Sequence, residues 1–154
     1  MIRHIIIFIF LSLSAIGTAY AQSPIEEVFT RYENVKGSRD FIASGKEMTL
    51  ARSLIRRTPL ALIAPEVDVL EVLKMQNASK SDIDDFVKEL ETAFAHYKYY
   101  GKAETKNGLV DVYYTLNDAK NIGELVIYNP AIYSLNILKG NISASALLSI
   151  SNDT

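Results

Sequence analysis

Four strand-like segments in the second half of the chain constrain its fold most. Residues 98–104 and 109–116 flank a turn containing Asn-Gly, which is a strong hairpin signal. Residues 122–128 and 132–139 flank a tight Asn-Pro-Ala reversal. Strands joined by such short turns pair antiparallel, because a parallel crossover needs a much longer connection. The sequence therefore predicts a mainly antiparallel sheet.

Helical and short extended patterns precede these strands. Helices are predicted from Ser23 to Tyr32, over residues 46–57 and from Ser79 or Ser81 to near His96, and extended segments over residues 40–44 and 67–75. A further short helix is predicted after Ser143. We therefore expect an α+β fold, with a mainly antiparallel four- or five-stranded sheet and helices packed on one face.

The longest predicted helix carries an apolar stripe. Its members recur at helical spacing and are Ile83, Phe86, Val87, Leu90 and Phe94. We expect this stripe to cover the apolar side of the hairpin, which strand alternation assigns to Val110, Val112 and Tyr114.

Residues 1–21 have the form of a secretory signal peptide. Arg3 gives a basic start, residues 5–16 are an apolar run too short to span a bilayer, and Ala19-Tyr20-Ala21 is an A-x-A cleavage site. Cleavage leaves residues 22–154 as a single α+β domain. The chain has no cysteine that could carry a lipid. We therefore expect an exported protein, periplasmic or extracellular, with no membrane span after cleavage.

Composition excludes several classes of function. Sixteen Lys and Arg residues against 18 Asp and Glu give no basic excess, so we expect no nucleic-acid partner. The absence of cysteine removes disulfides, thiol nucleophiles and zinc ribbons. His96 is the only histidine beyond the leader, and its place at a helix end favours contact with the last carbonyls over catalysis.

Two ligand-binding motifs are incomplete. Ser44-Gly45-Lys46 is similar to the end of a phosphate loop, but Asp40 and Glu47 stand where that loop needs Gly and Ser or Thr. The acidic run 82–85 lacks the central Gly and distant Glu of a calcium loop, and it suits the first turn of a helix. The sequence thus predicts no enzyme, no catalytic residue, no cofactor and no metal site.

Tyrosines suggest a binding surface, since the chain has nine of them and no tryptophan. Strand alternation gathers candidate partner-binding residues on the sheet face opposite the helices, namely Tyr100, Tyr113, Tyr128, Lys98, Lys102 and Asp111. Tyrosine offers contact area and a hydrogen-bonding tip, so the expected partner is an envelope protein or a saccharide. An ordinary solvated sheet face explains the same pattern without a ligand.

A second candidate is the apolar segment that contains Leu60, Leu62 and Ile63. It forms either an apolar lip for a partner or part of the core.

Four segments resemble a family of small exported proteins of Bacteroidetes, a domain family of unknown function. They are VDVLEVL (67–73), VDVYYTL (110–116), GELVIYN (123–129) and LNILKGNISASALLSI (135–150). The resemblance implies an export signal, an α+β fold and no established activity. Genes of the family often lie near extracytoplasmic-function sigma factors, which implies a link to envelope stress. Many members have the form of lipoproteins, whereas this chain lacks the cysteine, and no catalytic residue carries over.

Three functional hypotheses follow. The first is an exported, non-enzymatic interaction module of the bacterial cell envelope, linked to stress. The second is a carrier for a small apolar ligand, which needs an apolar cavity of about a few hundred Å³. The third is a hydrolase with an unrecognised carboxylate site, which needs carboxyl groups with perturbed pKa values that converge in a cleft.

Overall fold

The computed structural model describes residues 22–152, and the predicted signal peptide lies outside them. The helices are α1 (Pro24–Tyr32), α2 (Met48–Ile55), α3 (Lys80–Phe94) and α4 (Ala144–Asn152), and 3₁₀ segments cover Gly45–Glu47 and Ala61–Glu66. The strands are β1 (Arg39–Ser44), β2 (Val67–Lys74), β3 (Lys98–Thr105), β4 (Gly108–Leu116), β5 (Asn121–Asn129) and β6 (Ser134–Ser143). Within residues 22–152, every helix falls short of the length or hydropathy that a membrane span requires.

The described strands form one sheet in the order β1-β2-β6-β5-β4-β3, with every neighbouring pair antiparallel. Strands β3 to β6 make a meander, and the β1–β2 pair adds to β6, where Leu70 lies opposite Leu138. The α+β class and the antiparallel pairing are confirmed, but the sheet has six strands rather than four or five. Local patterns cannot show the pairing of β2 with β6, because the two strands are distant in sequence.

Helices cover both faces of the sheet, so the expectation of helices on one face is wrong. Helices α1 and α3 enclose a core that includes Phe29 and Phe86. Helices α2 and α4 and the second 3₁₀ segment enclose another core, with Met48, Ile63 and Leu147. The physical reason lies in the central strands. The Leu-Val-Ile run of β5 is apolar at successive positions, so both of its faces must be buried.

The apolar stripe of α3 is buried, but not against the strand residues that the sequence indicated. Phe86 is fully buried and packs edge-on against Tyr128 of β5, with ring centroids 6.4 Å apart. The expected partners Val110, Val112 and Tyr114 belong to the core on the opposite face. Strand β4 has apolar or aromatic residues on both faces, and its alternation does not reveal which face α3 covers.

Serine caps fix the starts of α1 and α3, which lie over the same sheet face. Ser23 Oγ accepts a hydrogen bond from the Glu26 N–H at 3.3 Å, and the Glu26 carboxylate accepts one from the Ser23 N–H at 2.8 Å. This reciprocal capping box satisfies two of the free donors at the helix start. Ser79 Oγ accepts from the Asp82 N–H at 3.1 Å, so Ser79 rather than Ser81 begins α3.

Candidate binding groove and buried carboxylate cluster

A cavity of about 280 Å³ lies between α3, the sheet and the turn after β5, and we name it the tyrosine groove. It is lined by Val87, Leu90, Glu91 and Phe94 of α3, Asp111 and Tyr113 of β4, Tyr128 of β5, and Pro130 and Tyr133 of the turn. Glu91 is exposed at its border. A ligand can therefore reach the groove from solvent.

Aromatic rings brace one wall of the groove. Phe94 stacks on Tyr113 with ring centroids 3.9 Å apart and planes 5° from parallel. Tyr99 packs on Tyr113 at 5.1 Å, and Phe94 lies 6.0 Å from Tyr128. These contacts join α3 to β3, β4 and β5, so the wall is formed before any ligand arrives.

Asp111 is the polar centre of the groove. Its Oδ1 accepts hydrogen bonds from the Tyr99 hydroxyl and from Lys102 Nζ, each at 2.9 Å. The bond to Asp111 raises the pKa of Lys102. Burial raises the pKa of Tyr113 and raises that of Tyr128 to about 12, so both hydroxyls remain protonated and can donate at neutral pH.

The turn after β5 brings Tyr133 to the groove through an uncommon backbone conformation. Tyr133 has φ of 50°, the left-handed region that side chains other than glycine rarely adopt. Its carbonyl accepts from the Met75 N–H at 3.0 Å, which ties the turn to the end of β2. Asn129 braces the same turn, since its amide donates to the Asn107 carbonyl at 3.0 Å. Such strained residues are held in place by their surroundings, often at binding sites.

The structure brings four of the six sequence-predicted site residues together. Asp111, Tyr113 and Tyr128 line the groove, and Lys102 reaches it through Asp111. Tyr100 and Lys98 are not part of it. The tyrosine face was also expected opposite the helices, but α3 covers it, because Phe94 stacks directly on Tyr113. The predicted single polar face is therefore corrected to a groove beneath a helix.

A bulge in β3 separates Tyr100 from the groove. Tyr99 pairs with Tyr113, but the next paired residue is Gly101, so Tyr100 is an extra residue in the strand. The Tyr100 ring meets Tyr114 at 6.5 Å and contacts the core of the opposite face. Lys98 also lies on that face, because it pairs with Tyr114. Gly101 permits the bulge, since its φ of 140° is uncommon for residues that carry a side chain.

Sequence reasoning missed the other walls of the groove. The sequence pattern identifies Leu90 and Phe94 only as members of the α3 stripe, and it assigns Tyr133 to a strand that in fact begins at Ser134. The Asn-Pro-Ala turn was visible in the sequence, but the left-handed conformation of Tyr133 depends on contacts from elsewhere in the chain.

A second polar site, which we name the carboxylate cluster, lies on the same sheet face beneath the start of α1. It consists of Glu26 of α1, Glu71 of β2, Glu124 of β5 and Lys139 of β6. Lys139 Nζ forms an ion pair with Glu26 and lies 3.7 Å from Glu71 Oε2. Glu26 and Glu124 are 8% and 5% exposed, and the side chain of Lys139 is 27% exposed, so α1 shields most of the cluster from solvent.

Hydrogen bonds hold Glu124 from two sides. The Tyr97 hydroxyl donates to its Oε1, and Ser23 Oγ donates to its Oε2 at 2.8 Å. The Ile25 N–H in turn donates to the Tyr97 hydroxyl at 3.4 Å. Burial raises the pKa of Glu124, although these hydrogen bonds oppose the shift. The first turn of α1 is thus joined to the sheet through a buried carboxylate.

Glu71 is less well satisfied than its neighbours. Among the described residues, no group donates a hydrogen bond to its buried Oε2. Burial, with the nearby charges of Glu124 and Glu33, raises the pKa of Glu71 to about 7. Burial also lowers the pKa of Lys139. Over residues 22–152, no three His, Cys, Asp or Glu side chains are arranged to hold a metal ion.

The apolar segment near residue 60 divides between the core and the surface. Ile63 is fully buried and Leu60 packs against the core, whereas Leu62 is 59% exposed. Only Leu62 is therefore placed to meet a partner.

No family model matches the chain, and no curated protein or solved structure is significantly similar to it.

Proposed function

We propose that the protein is an exported, non-enzymatic interaction module of the bacterial cell envelope that binds a saccharide in the tyrosine groove. The observation that carries this proposal is the groove itself, an open cavity of about 280 Å³ walled by aromatic rings around a carboxylate. Its volume is near the lower end of the range for small-ligand sites, about 300–1,000 Å³.

The groove offers the chemistry that a sugar ring needs. Tyr113 and Tyr128 present protonated hydroxyls that donate hydrogen bonds, and Asp111 and Glu91 present carboxylates that accept them. The aromatic ring of Tyr133 supplies apolar area for the carbon side of a sugar. The groove is preformed, which reduces the entropy lost on binding.

The same groove suits the two alternative functions less well. A carrier for a small apolar ligand needs walls without charged groups, but Asp111 and Glu91 line this cavity. A hydrolase needs its carboxyl groups of raised pKa within reach of substrate. Here those groups are Glu71 and Glu124, which lie in the carboxylate cluster rather than in the groove.

An array of bacterial envelope oligosaccharides tests the proposal. We expect the wild-type protein to bind a restricted set of glycans, and Asp111→Asn to lose at least tenfold in affinity because it weakens a charged acceptor. Tyr100→Ala is the matched control, since Tyr100 lies on the opposite face, and it should bind as the wild type does. Binding of a protein segment but no glycan, or equal loss in both variants, would contradict the proposal.

Export is tested separately by N-terminal sequencing of the protein recovered from an expressing bacterium. The proposal expects a mature chain that begins at Gln22, after the Ala19-Tyr20-Ala21 site. Recovery of a chain that begins at Met1 in the membrane fraction would contradict it.

A further inference from the structure

A basic and apolar surface lies on the other side of the molecule, around α2. Leu50 and Leu54 are 64% and 47% exposed, and they lie one turn apart on the same side of the helix. Leu62, 59% exposed, lies on the 3₁₀ segment that packs against α2. Three leucines with this exposure on adjoining elements leave apolar surface in contact with water, which is unfavourable for the free protein.

Basic residues flank these leucines. The segment 46–57 contains four basic residues and one acidic residue, although acidic residues outnumber basic ones over the whole chain, 18 to 16. Lys46 precedes Leu50 by four residues, and Arg56 and Arg57 follow α2 directly. All three are exposed, and none forms an ion pair among the described residues. Arg52, in contrast, is held by the Val67 carbonyl and Asp68.

We propose that this surface, the basic leucine patch of Lys46, Leu50, Leu54, Arg56, Arg57 and Leu62, docks the protein on an anionic lipid bilayer. Leucine side chains insert at the boundary between headgroups and acyl chains, while arginine and lysine meet lipid phosphates. Charge complementarity selects this occupant, because the segment 46–57 has four basic residues against one acidic residue, whereas acidic residues outnumber basic ones over the whole chain. The arrangement matches a helix that lies on a membrane without crossing it.

The patch and the tyrosine groove lie on opposite faces of the sheet. Docking through α2 therefore leaves the groove directed away from the bilayer and accessible. The proposal does not depend on what the groove binds, so either can fail without the other.

Vesicle sedimentation tests the docking proposal on the chain from Gln22 onward, whose described residues form both cores. We expect it to sediment with equimolar phosphatidylglycerol and phosphatidylcholine vesicles at low salt, and not with phosphatidylcholine alone. Arg56→Gln with Arg57→Gln should reduce partitioning about fivefold for each charge removed. Leu50→Ser with Leu54→Ser should also reduce partitioning at least fivefold, because less apolar area enters the interface.

Two substitutions elsewhere on the surface serve as controls. Leu109→Ser removes a leucine that is 55% exposed on β4, and Lys106→Gln removes an exposed charge in the β3–β4 turn. Both should sediment as the wild type does. Failure of the wild type to bind anionic vesicles, or losses in the control variants equal to those in the patch variants, would overturn the proposal. A dimer in light scattering that Leu50→Ser with Leu54→Ser dissociates would assign the patch to a second copy and also overturn it.

Discussion

The carboxylate cluster and the tyrosine groove lie on one face of the same sheet and use the same chemical groups. In the cluster, the Tyr97 hydroxyl donates to Glu124, and Lys139 pairs with Glu26. In the groove, the hydroxyl of Tyr99 and the ammonium group of Lys102 both donate to one carboxylate, that of Asp111. The sites differ in their access to water, since the side chain of Lys139 is 27% exposed and that of Lys102 is 59% exposed.

Burial decides what each set of groups does. The pKa of Lys139 is lowered, because burial disfavours its charge. The pKa of Lys102 is raised, because the hydrogen bond to Asp111 and the charge of that carboxylate stabilise the ammonium group. The same pairing therefore makes the cluster a determinant of stability and its pH dependence, and leaves the groove free to bind a ligand.

Replacing each lysine by methionine gives the largest expected difference between the two sites. Lys139→Met leaves Glu26 and Glu71 buried without their cation, so we expect the free energy of unfolding to fall by about 3 kcal/mol. Lys102→Met removes an exposed ion pair, and we expect no measurable change in stability. Urea denaturation of both variants measures the difference. Equal losses would show that burial does not distinguish the sites.

The pH dependence of stability tests the cluster through Glu71. Its pKa is about 7 in the fold against an ordinary 4.5, so the folded state binds more protons than the unfolded state between these values. The free energy of unfolding should therefore fall as pH rises from about 5 to about 8, by roughly 1–2 kcal/mol because residual water contact weakens the effect. Glu124 contributes in the same direction, since its pKa is also raised.

Glu71→Gln is the variant that isolates this contribution. A neutral side chain does not titrate, so the fall in stability between pH 5 and pH 8 should shrink, leaving the part due to Glu124. Urea denaturation at several pH values measures it. A slope as steep as that of the wild type would exclude Glu71 as its source.

Removing one hydroxyl from each site gives the smallest expected difference. Tyr97→Phe deprives buried Glu124 of a donor and the Ile25 N–H of an acceptor, and we expect a loss of about 1–2 kcal/mol. Tyr99→Phe leaves Asp111 with Lys102 and with water, and its stability should equal that of the wild type. Thermal denaturation of both variants measures the difference. A lower melting temperature for Tyr99→Phe than for Tyr97→Phe would reverse the assignment of buried and open sites.

The α+β class was predictable because its signals are local. Apolar residues at helical spacing, such as Val28 and Phe29 after Ile25, place α1, and the Asn-Gly pair places the β3–β4 hairpin. Asp111, Tyr113 and Tyr128 could be assigned to one face for the same reason, because β4 and β5 are regular at these positions, where Asp111 pairs with Tyr128 and Tyr113 with Val126. Where a strand is regular, its sequence shows which side chains share a face.

The rest depends on contacts between distant segments. The extra residue Tyr100 shifts the alternation of β3. Lys102 therefore lies on the same sheet face as Asp111, whereas Lys98 and Tyr100 lie on the other face. The carboxylate cluster joins side chains from α1, β2, β5 and β6, and no spacing in sequence relates them. Glu71 and Glu124 each look like an ordinary surface residue of an alternating strand until α1 covers them.

The strand order has a consequence for how the protein is made. Among the strands of residues 22–152, β6 is the last to be synthesised, yet it lies at the centre of the sheet, with β2 on one side and β5 on the other. Until it emerges, β1–β2 and β3–β5 are separate pieces, each with an unpaired apolar edge. Completion of the sheet is therefore a late, long-range step, and such steps are slow and expose chains to aggregation. A chain that stops before Ser134 lacks the strand that makes the two pieces one sheet.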